Sequence, residues 1–531
     1  MENNQPNADG VKTSGTHITC WTDTVQQREF ETLNQDIKAD VTVIGAGIAG
    51  LTVAYCLAKA GKQVVVLEDG LVGSGETGRT TAHIANALDD RYSELAELFG
   101  EEGARHAAES HTAAIDLVEK IVTEEHIDCD FKRVDGYLFL HPSDDKKSLD
   151  EELEATHKAG LQTAMLDASD MPSIAAVDGP VLKFPQQAQF HPLKYLNGLA
   201  DAFTRLGGKI YTKTHANTKT MKDGYIEAND HKVTAEYTVV ATNSPINDWA
   251  AMHTKQSPYR SYVIVAKVPK DAITPALWWD TGDQDSVWPS MPYNYVRTQP
   301  FNEQYDLLIH GGADHKTGQA NKEEELEEDR YQRLESWLRK HFPQAGEIVY
   351  RWSGQVMEPV DDLGFIGKNP GDEKVYIVTG DSGNGMTHGT LAGILITDLI
   401  TGVENPWTKL YDPGRITLKM TSLKTFVHEQ YSTLSQYVDF LLPSDVESLQ
   451  QIKPGEAAIV GRPNKVAVYR DDAGAFHAYT AICPHMGCVV QWNNDEKSFD
   501  CPCHGSRFTC EGKVINGPAL SDLAPVETPK Q

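Results

Sequence analysis

Apolar positions along this chain fall into two registers. Val41-Thr42-Val43-Ile44 and Val64-Val65-Val66-Leu67 are short, largely apolar runs of the length expected for strands covered on both faces. Between them the spacing from Leu51 to Ala60 is helical and stops at Gly61, a residue suited to a helix C-cap. Strand, helix and strand in this order predict a βαβ unit and therefore a parallel sheet. Further strand-like runs occur at 237–241, 262–268, 307–309 and 375–379, with helical stretches between them. The segment 323–339 is charge-rich, with apolar positions at Leu326, Tyr331, Leu334 and Leu338, and predicts a solvated amphipathic helix without chemistry of its own. Residues 1–36 read as a polar arm. Pro406, Pro413 and Gly414 punctuate the start of a linker at 405–440, and from 441 to 531 short alternating runs broken by Gly, Pro and Asn predict a small all-β domain.

Length and charge narrow the function. A chain of 531 residues allows about three domains. Its 48 Lys and Arg against 76 Asp and Glu give a formal charge of −28, a field that repels phosphate backbones and anionic headgroups, so no nucleic-acid partner is expected. No apolar run approaches the roughly 18 residues of a membrane span. Residues 1–15 lack the basic and apolar regions of a secretory signal, and a cytoplasmic location is expected.

The first candidate site is Gly45-Ala46-Gly47-Ile48-Ala49-Gly50, which directly follows a predicted strand and opens a predicted helix. In such a turn Gly45 permits the tight bend, Gly47 lets the backbone approach a pyrophosphate, and Gly50 lets helix and strand pack closely. The helix N-terminus then faces the phosphates. Glu68, at the end of the second strand, can accept hydrogen bonds from ribose hydroxyls. A tight turn without a ligand is the plain alternative, and the turn alone does not separate FAD from NAD.

Of eight cysteines, Cys20, Cys56 and Cys129 are scattered, whereas Cys483, Cys488, Cys501, Cys503 and Cys510 crowd one stretch. Clustering of this kind marks a metal or redox site; a purely disulfide framework would be unusual in a long chain expected in the cytosol. Cys483-Pro484-His485-Met486-Gly487-Cys488 and Cys501-Pro502-Cys503-His504-Gly505-Ser506 each offer a thiolate and an imidazole. That is the ligand set of a [2Fe-2S] cluster with two sulfurs on one iron and two histidines on the other; a Cys/His zinc site is the alternative.

From about 37 to 404 the chain resembles the D-amino-acid oxidase-like flavoproteins, which include sarcosine, glycine and dimethylglycine oxidoreductases. The resemblance rests on the glycine turn, Gly78-Arg79-Thr80-Thr81-Ala82, Thr238-Val239-Val240-Ala241-Thr242-Asn243, Arg351-Trp352-Ser353-Gly354, Pro359-Val360-Asp361, and Gly380-Asp381-Ser382-Gly383-Asn384-Gly385-Met386. It implies an α/β + β fold: a Rossmann-like FAD-binding part assembled from about 37–90, 191–250 and 345–404, and an interleaved mixed-sheet substrate part from about 91–190 and 251–344. It also implies FAD contacts at Arg79, Thr80, Thr81, His83, Ala216, Ala241, Thr242, Gly380, Gly383, Asn384, Gly385, Met386 and Thr387. In that family the 380–386 loop runs beside the isoalloxazine, where glycines allow close approach and backbone N–H groups stabilise charge on the reduced ring; a glycine-rich turn capping a helix near His388 is the plain alternative. His83 matches a position at which some members attach FAD covalently, though a histidine there can equally be a packing or hydrogen-bonding residue. Thr387 stands where sarcosine-type enzymes carry a carboxylate-binding lysine, which argues against simple amino-acid substrates.

Tyr293, Tyr295 and Arg297 lie on a predicted strand of the substrate part, where the arginine could clamp a carboxylate and the tyrosines could form an aromatic wall. Ordinary sheet aromatics and a surface arginine are the competing explanation. His310 and Arg260 are further candidates.

Residues 441–531 resemble a Rieske domain, including Asn516-Gly517-Pro518-Ala519 as the proline loop over the cluster. The resemblance implies Cys483 and Cys501 on one iron, His485 and His504 on the other, a Cys488–Cys503 disulfide as in cytochrome bc-type members, and a Ser506 hydroxyl donated to a bridging sulfur. Phe508 replaces the tyrosine of high-potential members, so the expected potential lies below the highest bc-type values and above ordinary ferredoxins. Cys510 reads as a packing residue. Together the two halves are expected to form an FAD-dependent amine or amino-acid dehydrogenase passing electrons through the cluster to an external acceptor, a protein or a quinone. An electron-transfer or reductase component without its own amine substrate is the alternative. A Rieske oxygenase needs two histidines and a carboxylate on a third iron, and His106 and His111 would stand about 140° apart on a helix.

Overall fold

The strand Ile37–Ile44 sits at the centre of the first sheet because its apolar residues can be covered on both faces. In the computed structural model, which describes residues 15, 17–247, 252–288, 291–319, 329–417, 439–440 and 443–529, this strand runs parallel to Val64–Leu67 on one side and to His231–Asn243 on the other. Lys209–Tyr211 and Val375–Thr379 continue the parallel order outward, and Phe365–Lys368 closes one edge antiparallel. The helix of the βαβ unit spans Ile48–Lys59, three residues earlier than the apolar spacing predicts, because Gly47 takes the extended N-cap conformation. Gly61 follows it with a positive φ of 86°, as a C-cap glycine should.

A second, nine-stranded sheet lies beside the first. Its main path runs Ile348–Pro359, Gln256–Pro269, Tyr305–Lys316, Tyr295–Pro300, Leu277–Asp280, Lys132–Phe139, Pro180–Gln189 and His83–Ile84, with Ala164–Asp167 paired to Pro180–Gln189. Two of these strands correct the expected partition, since His83–Ile84 and Ile348–Pro359 fall in segments assigned to the FAD part. Backbone pairing places them here: Gln256 to Ala266 register against Pro359 to Ile348, and His83 against Gln189. Tyr293 precedes the strand Tyr295–Pro300 instead of lying on it.

The described part of the N-terminal arm is not a free polar extension. Its helix Cys20–Thr24 buries Trp21 to 1% exposure, Trp21 Nε1 donates to Thr80 O at 2.7 Å, and Thr19 Oγ1 donates to Gly78 O at 3.0 Å. A single large apolar residue thus overrides a polar composition. The amphipathic helix is Arg330–His341 and turns Tyr331, Leu334 and Leu338 into the protein; residues 323–328, with Leu326, lie outside the described residues, as do 418–438 of the expected linker and 441–442.

The C-terminal unit has a three-stranded sheet (Glu456–Val460, Val466–Arg470, Phe476–Thr480) and a four-stranded one (Gln491–Asn493, Ser498–Asp500, Arg507–Thr509, Val514–Asn516). It docks on the second sheet, the 76–79 turn and the N-terminal arm through Glu496, which is 0% exposed. Ser353 Oγ donates to Glu496 Oε1 at 2.5 Å, Arg79 and Arg507 each approach Oε2 at 3.6 Å, and His17 Nδ1 stands 3.4 Å from Oε1. Arg260 Nη1 donates to the same Ser353 hydroxyl at 2.6 Å, and Arg507 Nε donates to the buried Asp500 at 3.0 Å. Gln355 Nε2 donates to Gly505 O at 3.2 Å and Asn516 Nδ2 to Glu76 Oε1 at 3.0 Å, which extends the interface.

Burial pushes the Glu496 carboxyl upward, but Arg79, His17, Arg260 and Arg507 outweigh it and hold the group well below its ordinary 4.5. A depressed carboxylate stabilises docking fully above that ordinary value and loses the contribution as pH falls through the lowered one. Glu496→Ala leaves the arginines without their shared counter-charge, at a cost of about 3–5 kcal/mol. The expected result is a thermal unfolding transition that splits in two, with the cluster absorption bleaching first; coincident unfolding at the wild-type temperature would refute the assignment of docking to Glu496.

Candidate cofactor and redox site

Gly45 has a φ of 103°, and a Cβ there would lie 2.5 Å from Ala241 O, so the chain turns directly beneath the end of the neighbouring strand. Ile48 N, the first amide of the helix, donates to Thr77 Oγ1 at 3.1 Å. Glu68 braces the same turn: Oε2 accepts from Ala46 N at 2.7 Å and Oε1 from Gly70 N at 2.8 Å. Its carboxylate therefore fixes the turn, and the residue lines the cavity beside it.

A cavity of about 510 Å³ runs from this turn along Thr80, Thr81, His83, Ala216, Ala241 and Thr242 to Gly383, Asn384, Gly385 and Met386. Gly47, Ile48, Ala49 and Glu68 also line it. Ala46, Gly50 and Gly380 stand behind the wall. Thr387 is buried and its Oγ1 meets His111 Nδ1 at 2.8 Å, so it serves the helix packing and not the cavity. Arg79 borders the cavity, but its guanidinium is spent on Ser353 O, His17 O and Glu496. Both ring nitrogens of His83 are engaged, Nδ1 with Thr81 Oγ1 at 3.0 Å and Nε2 with Val296 O at 3.2 Å, so a covalent bond to a flavin would displace one of them.

The glycine-rich loop leads straight into the helix Gly385–Thr401, which begins three residues before His388. Gly383 has a φ of 73°, and a Cβ there would fall 1.8 Å from Asp89 Oδ2. Asp89 in turn accepts from Tyr293 OH at 2.5 Å. Asp89, Tyr293, Ser261, Asp314, Val356 and Glu358 form a wall shared with a second cavity of about 750 Å³. That second cavity is acidic, with Asp90, Glu94, Glu152 and Asp362 among its lining. Burial raises Asp89 and Asp381 to about 6 and Asp314, Glu152 and Asp362 to about 7, and it pushes Asp90 and Glu358 well above the usual range with their acidic neighbours adding to the effect. Asp314 Oδ1 is buried there without a hydrogen-bond partner among the described residues.

In the C-terminal unit the two Cys/His loops share one backbone pattern. Cys483 N donates to Cys488 O and Gly487 N to Cys483 O, while Cys501 N donates to Ser506 O and Gly505 N to Cys501 O. Cys488 and Cys503 form a disulfide between the loops. The sulfurs of Cys488, Cys501 and Cys503 lie within 4.8 Å of one another, but the bridge consumes two of them and leaves Cys501 with Cys483 as thiol donors. These two thiols hydrogen-bond each other, which lowers Cys483 to about 7 and raises Cys501 well above 9.0. The rings of His485 and His504 lie 5.0 Å apart and nearly perpendicular. Burial, then His253 and His485, push His504 down to about 3, and its Nδ1 is buried without a hydrogen-bond partner among the described residues. A neutral imidazole nitrogen kept free of protein partners is what a metal ligand requires. Two sulfur and two nitrogen donors on paired loops fit a [2Fe-2S] cluster. The Ser506 hydroxyl hydrogen-bonds Cys483 and accepts from Ala519 N at 3.0 Å.

The sequence pattern of the DAO family of FAD dependent oxidoreductases matches residues 40–399, more than half of the chain. The chain belongs to this family. The Rieske [2Fe-2S] domain pattern matches residues 443–527, so this DAO-family member takes FAD and a Rieske cluster. It is 31% identical to the Bacillus subtilis protein described as the Rieske 2Fe-2S iron-sulfur protein YhfW, over 96% of this chain and 97% of that one. It is 28% identical to the gamma-glutamylputrescine oxidoreductase of Escherichia coli over 70% of this chain and 86% of that one. The fold of L-proline dehydrogenase from P. horikoshii superposes with a TM-score of 0.57 at 20% identity, covering 71% of this chain and 97% of that one.

Within this DAO-family chain two expected catalytic residues lie elsewhere. Arg297 is 0% exposed and its guanidinium donates to Ala82 O, Phe190 O, Thr298 O and Gln299 Oε1 above the ring of Trp21. Backbone carbonyls saturate it, leaving no fork for a carboxylate. His310 bonds Asn294 Oδ1 at 3.1 Å and packs 4.7 Å from the ring of Trp337, on the sheet face away from both cavities. Tyr293 alone of the three stands at the cavity junction. Sequence reasoning missed Asp89, Asp314 and His253; the last places its ring 4.9 Å from His485 and 5.7 Å from His504. No local pattern marks these residues, because strand pairing and domain docking bring them in from far along the chain.

Gly383→Ala forces a β-carbon into a left-handed position against Asp89, and the left-handed backbone alone disfavours it by roughly 1–2 kcal/mol. FAD affinity should fall by about tenfold while the cluster content holds, which is read as the ratio of flavin to cluster absorption in the purified protein; an unchanged ratio would place the flavin loop elsewhere.

Proposed function

We propose that the protein binds an amine as its cation, oxidises it at a C–H bond next to nitrogen once the nitrogen has lost a proton to solvent, and passes the electrons from FAD to the Rieske cluster and on to an external acceptor, a protein or a quinone. The observation that carries this reading is the acidic cavity that shares the Asp89–Tyr293 wall with the cofactor cleft, whose many carboxylates outnumber Arg91 and Lys158 in the same lining. A substrate recognised there is held by its positive charge and not by a carboxylate. When bound, FAD supplies a two-electron acceptor and the cluster a one-electron carrier.

The chain's own residues have distinct roles in this proposal. Asp89, once ionised, pairs with the substrate ammonium, and Tyr293 fixes the carboxylate by donating its hydroxyl. Asp314 offers a second buried oxygen to the same cation. Cys483 and Cys501 hold one iron, His485 and His504 the other, and the Cys488–Cys503 bridge keeps the loops in register. The cofactor part comprises about 37–90, 191–250 and 345–404, less the two strands that join the second sheet; 405–440 connects it to a Rieske domain at 441–531. The name of the Escherichia coli relative, an oxidoreductase of gamma-glutamylputrescine, supports an amine class.

Anaerobic titration with secondary, tertiary and α-amino-acid amines tests the proposal when flavin bleaching and the paramagnetic signal of the reduced cluster are followed together. An amine that bleaches the flavin should also bring up the cluster signal. If no amine does so while dithionite fills both centres, the chain is an electron-transfer component without its own amine. Because burial raises Asp89 to about 6, capture of the cation should strengthen as pH rises through that value. Asp89→Asn should remove this limb and raise KM for the amine at least about tenfold, the effect of losing one buried charge-assisted contact of about 1.4 kcal/mol. His504→Ala should abolish the cluster signal and leave FAD bound.

A further inference from the structure

We propose that the Rieske segment 514–520 completes the FAD site, so that cofactor occupancy and docking of the cluster domain stabilise each other. The inference rests on the assignment of the 510 Å³ cavity to FAD and adds to it a wall contributed by the other domain. Val514, Ile515, Asn516, Gly517, Ala519 and Leu520 line that cavity together with the glycine turn and the flavin loop.

Two fixings hold the segment over the cleft. On one side Asn516 Nδ2 donates to Glu76 Oε1 at 3.0 Å, and Glu76 Oε2 accepts from Gln355 N at 2.8 Å. Glu76 adjoins Thr77, whose hydroxyl receives the first helical amide of the dinucleotide turn. On the other side Gly517 lies against Ile246, where a Cβ on Gly517 would stand 3.1 Å from Ile246 Cγ2. Ile246 follows the strand that ends over Gly45. The segment thus bridges the two banks of the cleft near the middle of the cofactor's path. Behind it, Ala519 N donates to the Ser506 hydroxyl that also serves Cys483. One short piece of chain therefore presents one face to the dinucleotide and the other to the cluster loops.

A ligand that touches both domains binds the docked arrangement in preference to the undocked one, and the linkage is reciprocal. At saturating FAD the docked population gains by the ratio of FAD's affinities for the docked and undocked arrangements, and loss of docking weakens FAD by that same ratio.

The test is hydrogen exchange on the full-length chain, produced flavin-depleted with its cluster loaded and then compared with and without added FAD. Slowed exchange at 514–520, together with 45–50 and 383–386, is the expected result. Protection at 45–50 and 383–386 with 514–520 unchanged overturns this inference and leaves the FAD site intact. No protection at any of the three, with no flavin retained, overturns both. In the holoenzyme Asn516→Ala should release FAD at least about tenfold faster with an unaltered cluster spectrum, and an unchanged release rate would overturn the proposal.

Discussion

The carboxylate of Glu496 has no water to solvate it, and neither have the guanidinium groups of Arg260 and Arg507 beside it. Charges of this kind persist in an interior only when each meets an opposite partner, since an isolated buried ion loses several kilocalories per mole of hydration. The partners come from separate parts of the chain: Arg79 from the loop after the dinucleotide turn, Arg260 from the second sheet, Arg507 and Glu496 from the Rieske unit. Within the Rieske unit Arg507 already has Asp500 and Glu496, but Arg79 and Arg260 meet their counter-charge only across the interface. The cluster domain is consequently held at the cofactor cleft by electrostatic necessity, with Gln355 and Asn516 fixing its orientation. The shared cleft, the overhanging proline loop and the contact of His253 with the cluster histidines all follow from that placement.

What could be read from sequence is what local geometry dictates. The glycine turn, the 380–386 loop and the Cys/His boxes each need particular residue types within a few positions, because a positive φ or a ligand spacing is a local demand. The βαβ unit was legible for the same reason, through periodicity alone. Arg297 misled because an arginine beside tyrosines on a strand looks the same whether it meets a substrate carboxylate or four protein oxygens. Asp89 carried no signal until the fold set it against Tyr293, more than two hundred residues away. Trp21 was hidden by the polar residues around it, and His253 by the absence of any motif at all.

Net charge also changed its meaning once the fold was known. A surplus of acids first served to exclude nucleic acid. Part of it proves to line a cavity, where buried acids raise one another's affinity for protons and for any cation that replaces them. A long-range repulsion of anions and a short-range attraction for cations thus arise from one compositional bias.

The strand order of the first sheet has a bearing on how the chain reaches this state. Ile37–Ile44 lies between strands that begin at residues 64 and 231, and the next parallel neighbour begins at 375. During synthesis the central strand must wait for some two hundred further residues before its second edge is covered, and the sheet is incomplete until Thr379 has emerged. Non-local closure of this kind makes folding slow and leaves apolar edges open in the meantime. The counter-charges for Glu496 are organised by the same closure, through Arg79 and Ser353. Docking of the cluster domain therefore waits on the closure of the first two sheets, whichever module folds first.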